Sequence, residues 1–120
     1  MPHNATFAFS GISVITTTVA TQDDAQRLAR GAVQQRLAAC GQVEAITSHY
    51  VWEGKLEETP EWRLTFKTVP DGVQPLLQWL RAEHPYEVPQ LLMRGEQAQR
   101  DYALWVAQQV DVPVEKRYRV

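Results

Sequence analysis

The sequence predicts an α+β fold, a four-stranded antiparallel sheet covered by helices. Three observations predict it. Hydrophobic spacing switches between the two-residue period of strands and the three-to-four-residue period of helices. Two long β-branched and aromatic runs meet at a glycine, as in a hairpin. The elements then follow the order strand, helix, strand, strand, helix, strand, helix. A length of 120 residues holds one domain with one core, read as 1–120 with an N-terminal fringe over 1–10, a core over 12–109 and a tail over 111–120.

The first ten residues are polar and mixed, and a β-branched strand begins at Ile12-Ser13-Val14-Ile15-Thr16-Thr17. Thr21 stands three residues before Asp24, so a hydroxyl caps a helix whose first turn carries carboxylates. Ala25, Leu28, Ala29, Ala32, Val33, Leu37 and Cys40 form its apolar stripe, and Gly41 is expected to end it. In Val43 to Trp52, the residues Ile46, Ser48, Tyr50 and Trp52 share one face of a strand. In Leu56 to Thr68, Trp62, Leu64 and Phe66 share a face. Glu53-Gly54-Lys55 turns the hairpin, and Pro60 places part of its second strand at an edge, a bulge or an interruption.

Asp71 is expected to cap a second helix with Val73, Leu76, Leu77 and Leu80 on its buried side and Pro85 beyond its end. A short strand, Gln90 to Met93, and a third helix, Gln97 to Val110 with Ala98, Tyr102, Trp105, Val106 and Gln109 facing inward, complete the chain. With right-handed crossovers this order gives a ferredoxin-like βαββαβ sandwich with an additional C-terminal helix. Its uncovered sheet face would expose Tyr50, Trp52 and Trp62 as an apolar patch, which self-association would cover. The basic end Lys116-Arg117-Tyr118-Arg119 reads as a surface tail.

Hydrophobic residues make up 44% and charged residues 22% of the chain, an ordinary globular balance. A net charge of -2 gives no surplus for gripping nucleic acid or anionic membrane, and no apolar run spans a bilayer. Cys40 is the single cysteine, which rules out an intrachain disulfide and fits a cytoplasmic protein. Walker, dinucleotide-binding and nucleophile-elbow motifs are absent, so nucleotide hydrolysis and acyl transfer are not expected. Trp62 to Thr68 also lacks the basic, glycine-containing pattern of RNA-recognition strands.

Glu83-His84-Pro85-Tyr86-Glu87 gathers an imidazole, two carboxylates and a phenol at a helix end. Imidazole and carboxylate oxygen together suit copper, zinc or nickel, making His84, Glu83 and Glu87 candidate ligands. The same residues also fit a structural role, with His84 against the last helical carbonyls and Glu87 in a surface pair. Cys40 is either a small core side chain or a thiol ligand. His3 and His49 read as incidental.

Arg36-Leu37-Ala38-Ala39-Cys40, Thr47-Ser48, Tyr50 to Glu57, Lys67-Thr68 and His84-Pro85-Tyr86-Glu87-Val88-Pro89 occur in an order and spacing that resembles the CutA divalent-cation-tolerance family over residues 12–109. The resemblance implies a non-enzymatic, cytoplasmic homotrimer, related in architecture to PII signalling proteins, in which the hairpin pairs across subunits. It implies a role in tolerance of copper and other divalent cations, or alternatively a PII-like scaffold that senses a small molecule or a protein partner in inter-subunit clefts. Where some members place a proposed copper-binding cysteine and two adjacent histidines, this chain has Thr17, Glu83 and His84. Only His84 is retained, which lowers the affinity expected for soft Cu(I). Gln42 and His49 are lesser departures.

Overall fold

A computed structural model of the chain describes residues 6–112. His3 and the basic end at Lys116 to Arg119 lie outside the described residues. The first strand, β1 (Phe9–Val19), is central, and every residue from Ile12 to Val19 is buried. It starts before the β-branched run because backbone pairing carries it back to Phe9, opposite Gln99, where no side-chain alternation announces a strand.

The first helix, α1 (Gln22–Gln34), begins where Thr21 Oγ1 accepts the Asp24 N–H at 3.1 Å. It ends earlier than the sequence predicts. Arg36 adopts a left-handed φ of 59°, while its N–H reaches Val33 O at 3.0 Å and the Leu37 N–H reaches Ala32 O at 2.9 Å, a Schellman closure. Gly41 is therefore not the helix stop. It lies inside the second strand, β2 (Cys40–Trp52), where a Cβ would come within 3.2 Å of the Phe66 ring and 3.3 Å of Ala29. Its small size lets α1 settle on the sheet. Cys40 is correspondingly the first residue of a strand, not the last of a helix stripe.

β2 and β3 (Lys55–Thr68) pair from Cys40 opposite Lys67 to Trp52 opposite Lys55. Glu53 and Gly54 form the two-residue turn, both with positive φ (50° and 79°), as the right-handed strand twist favours. β1 runs beside β3 only as far as Trp62, opposite Val19. Lys55–Glu61 and their β2 partners thus leave the sheet as a two-stranded arm that extends roughly 20 Å at strand rise. Pro60 sits on the arm's open edge, where its missing N–H costs no ladder bond among the described residues.

A short 3-10 turn (Pro70–Gly72) precedes α2 (Val73–Glu83). Asp71 lies in that turn, and no side chain caps α2. β4 (Leu92–Gln99) is longer than its apolar residues suggest, because pairing with β1 draws Gln97 and Ala98 out of the predicted helix. α3 (Arg100–Gln109) consequently starts later. Its buried residues are Ala103 and Val106, whereas Tyr102 and Trp105 are 38% and 42% exposed, their ring centroids 5.7 Å apart.

The sheet order is β2-β3-β1-β4, all antiparallel, the α+β arrangement expected of a ferredoxin-like fold. The main core joins Ile15, Val19, Leu64 and Phe66 to Leu28 of α1 and Leu76 and Leu80 of α2. A second cluster joins Ile12 to Ala103, Val106 and Val110. Because Ile12 and Ile15 point to opposite sides of β1, α3 covers part of the face that would otherwise be bare. The arm stretches the subunit: its radius of gyration is 16.8 Å, against about 13 Å for a compact domain of 100 residues.

Candidate functional site

The chemistry-bearing residues converge where α2 ends. His84 leaves the helix with extended backbone, φ -70° and ψ 135°, while its own N–H still bonds Leu80 O at 2.8 Å. Pro85 follows and prevents another helical turn. The ring turns inward to β1 and is only 8% exposed.

His84 Nε2 lies 3.0 Å from the Thr18 carbonyl oxygen and 2.9 Å from Thr17 Oγ1. A carbonyl can only accept, so Nε2 carries the proton. Nδ1 accepts the Tyr86 N–H at 3.0 Å. The imidazole is thereby fixed as one neutral tautomer with both nitrogens engaged. Burial holds its pKa below the usual histidine value, against the opposing pull of the Thr18 carbonyl and Asp24, with Arg27 adding to the depression.

Tyr86 extends this network. Its ring centroid is 5.0 Å from that of His84, and its hydroxyl donates to Glu61 Oε2 at 2.7 Å. Burial first, and the Glu61 carboxylate second, raise the phenol pKa well above its ordinary value. Glu61 is the arm residue next to Trp62, so the network runs from the core of β1 to the root of the arm.

The predicted carboxylate ligands do not join His84. Glu83 turns to α1, where its Oε1 lies 3.3 Å from Arg27 Nη1 and its carbonyl accepts from Arg27 Nη2 at 2.9 Å. Arg27 also pairs with Asp24 at 3.4 Å. Glu87 is exposed on the following loop. Cys40 lies about 10 Å farther along the sheet, in the row of Lys67 and Val14, and on the face opposite Thr17. Its sulfur is 3.8 Å from the Tyr102 hydroxyl, and burial together with that contact raises the Tyr102 pKa. Among the described residues, no three histidine, cysteine, aspartate or glutamate side chains are grouped to hold a metal ion. His49 is on the arm, 3.7 Å from Glu58, and both are exposed.

The three predicted interface aromatics separate. Tyr50 and Trp52 share a face and are 42% and 63% exposed. Trp62 lies on the other face, half-buried against the main core, so it does not belong to their patch. In its place, Val51 and Leu56 expose 69% and 66% on the face opposite Tyr50 and Trp52. Sequence spacing placed the single stripe but missed the second, because Val51 and Leu56 alternate as core residues would. Thr18, Arg27 and Glu61 were also missed. Their partners lie 66, 56 and 25 residues away, with no local signal to join them.

Residues 13–109 match the family model described as CutA1 divalent ion tolerance protein. A divalent-cation tolerance protein CutA from Yersinia pestis (strain Pestoides F) is 37% identical over 101 residues, covering 82% of this chain and 85% of that protein. The structure of CutA from Synechococcus elongatus superposes with a TM-score of 0.84 at 31% identity, covering 89% of this chain and 97% of that one. The divalent cation tolerance protein from Thermus thermophilus gives a TM-score of 0.77 at 30% identity, covering 85% and 100%.

Proposed function

The chain belongs to the CutA1 divalent ion tolerance family, and from that premise we propose that it acts as a non-enzymatic cytoplasmic homotrimer in the response to metal ions. One observation carries the assembly: the arm is apolar and exposed on both faces at once, through Tyr50 and Trp52 on one side and Val51 and Leu56 on the other. Packing against a single surface would cover only half of it. Among the described residues, its β3 edge also has no strand neighbour beyond Trp62. An open edge with apolar flanks is a template for another copy, and closed cyclic symmetry satisfies every such edge without endless growth. Light scattering at micromolar concentration is expected to give three times the chain mass. A monomer would overturn the reading.

His84, with Glu83 and Glu87, is the proposed contact for a divalent cation, copper first. Its donor set suits Cu(II), and Thr17 supplies a hydroxyl where a thiol would have favoured Cu(I). Nδ1 can serve a cation only by giving up the Tyr86 N–H, and Glu83 only by leaving Arg27, which supports weak binding. Cys40 is left out of this reading, since it lies farther along the sheet and on the face opposite Thr17. Calorimetric titration with Cu(II) is expected to show micromolar-or-weaker binding that His84→Ala abolishes. Equal affinity in the variant would remove His84 from the site.

A further inference from the structure

The open edge of the arm is not uniform along its length. Across a two-residue turn the flanking residues, Trp52 and Lys55, form a hydrogen-bonded pair, and bonded and non-bonded pairs alternate from there along the ladder. Lys55, Glu57, Thr59 and Glu61 therefore turn their backbone groups to β2, while Leu56, Glu58 and Pro60 turn theirs to the open edge. Leu56 and Glu58 each present an N–H and a carbonyl there, and Pro60 presents a carbonyl alone. β1 leaves the sheet at this same place. Continuing its register past Val19, opposite Trp62, would set Thr21 opposite Pro60, and Thr21 instead caps α1.

We propose that Pro60 is a stop on the arm's edge, so that a strand of a second copy adds over Leu56 to Glu58 and no farther toward the core. The inference rests on the reading of the protein as an oligomer and specifies which part of the edge the oligomer uses. A strand laid across Pro60 would bring a carbonyl to a position with no donor, and an enclosed carbonyl without a partner destabilises the pairing. Registers that cross Pro60 are thus disfavoured against those that end at Glu58. A second copy fits this edge for two reasons. Its flanks are the exposed Val51 and Leu56 on one face and Tyr50 and Trp52 on the other, so an added strand would be enclosed by apolar side chains. The chain also carries strands able to fill it, since β2 and β4 are the outer strands of the sheet and each has one edge without a strand neighbour among the described residues. An edge that accepts and an edge that donates on the same chain make a head-to-tail contact, which closes into a ring. Proline at the end of such an edge guards against strand addition in a wrong register.

The test is amide hydrogen exchange read residue by residue on the full chain, at a concentration where light scattering reports the mass. The Glu57 and Thr59 amides are bonded to β2 and serve as internal references. The Leu56 and Glu58 amides point away from β2, so their protection reports an added strand. In the wild type they are expected to exchange as slowly as Glu57 and Thr59. Pro60→Val restores a donor at an exposed position, where the fold tolerates the change, and is expected to carry the protection on to the amide at position 60. An oligomer in which Leu56 and Glu58 exchange freely while Glu57 and Thr59 stay protected would overturn the strand addition and leave the assembly standing. Protection that still ends at Glu58 in Pro60→Val would show that the missing donor is not what ends the added strand, and would overturn the role of Pro60. A monomeric mass would overturn the assembly and this inference together.

Discussion

His84 is a buried imidazole whose hydrogen bonds suit only its neutral form. The Tyr86 N–H points at Nδ1, so a second proton on the ring would set donor against donor. The folded-state pKa lies below the ordinary value of 6.5, with burial the main cause. The unfolded chain therefore takes up this proton first as the pH drops, and stability is full above about pH 6.5 and lost below it, down to the folded-state pKa. Urea midpoints measured from pH 8 to pH 5 are expected to fall more steeply for the wild type than for His84→Gln. Parallel profiles would mean that the ring is not held neutral. A second residue-scale prediction concerns Gly72, which lies under Thr68 and Val110. A Cβ there would collide with Thr68 Oγ1, which already donates to Leu37 O at 3.1 Å. Thr68 is fully buried and has little room to turn. Gly72→Ala is expected to cost about 2–3 kcal/mol in denaturant unfolding, from overpacking and a weakened hydrogen bond. A neutral result would show that the turn can shift.

Between elements, Arg36 does work that its residue type conceals. It ends α1 in a left-handed conformation usually left to glycine, and its guanidinium then caps α3, donating to Gln108 O at 2.8 Å and Gln109 O at 3.1 Å. Asp111 returns its N–H to Arg36 O at 2.9 Å, which locks the end of α3 to the end of α1. Arg36→Gly and Arg36→Ala both lose the cap, but only alanine keeps the left-handed strain. The alanine variant is expected to be less stable than the glycine variant by about 1 kcal/mol in urea unfolding, and the wild type more stable than either. An alanine variant as stable as the glycine one would show that the backbone relaxes. The same residue shows where sequence reading stops. Hydrophobic period, the Thr21 cap and the Gly54 turn are local signals, and they placed the start of α1, the hairpin and the order of elements along the chain. Gly41 looked like a helix stop because glycine commonly is one, yet its small size serves Phe66 and Ala29 instead. The ends of β4 and α3 were misplaced for a related reason: ladder pairing with β1 overrides the weak helical pattern of Gln97 and Ala98. His84 was legible as a singular residue. Its contacts with β1, and the bond from Tyr86 to Glu61 on β3, were not, since only the fold brings them together.

At the scale of the molecule, the arm is the part that the chain alone does not stabilise. Its two strands bond each other, but among the described residues its tip stays exposed on both faces, and a two-stranded ribbon is marginal in water. The apolar side chains at its tip would gain about 1.5–3 kcal/mol each on full burial, which is more than an isolated hairpin can supply from within. Assembly and arm stability should therefore fail together. A charge introduced on one face tests one contact, while charges on both test whether the arm is enclosed. Trp52→Glu and Leu56→Glu are each expected to weaken the oligomer, and the double variant to run as a monomer in light scattering at micromolar concentration. The Glu53-Gly54 turn would remain intact, because neither substitution alters its backbone. If only one of the single variants lowered the mass, the arm would be packed on one side, as in a simple face-to-face dimer. If neither did, its apolar residues would have to face solvent in the native protein. A three-fold enclosure requires that both faces respond, and that the far-ultraviolet spectrum of the double variant keep the sheet signal of the core while the arm amides lose protection from exchange.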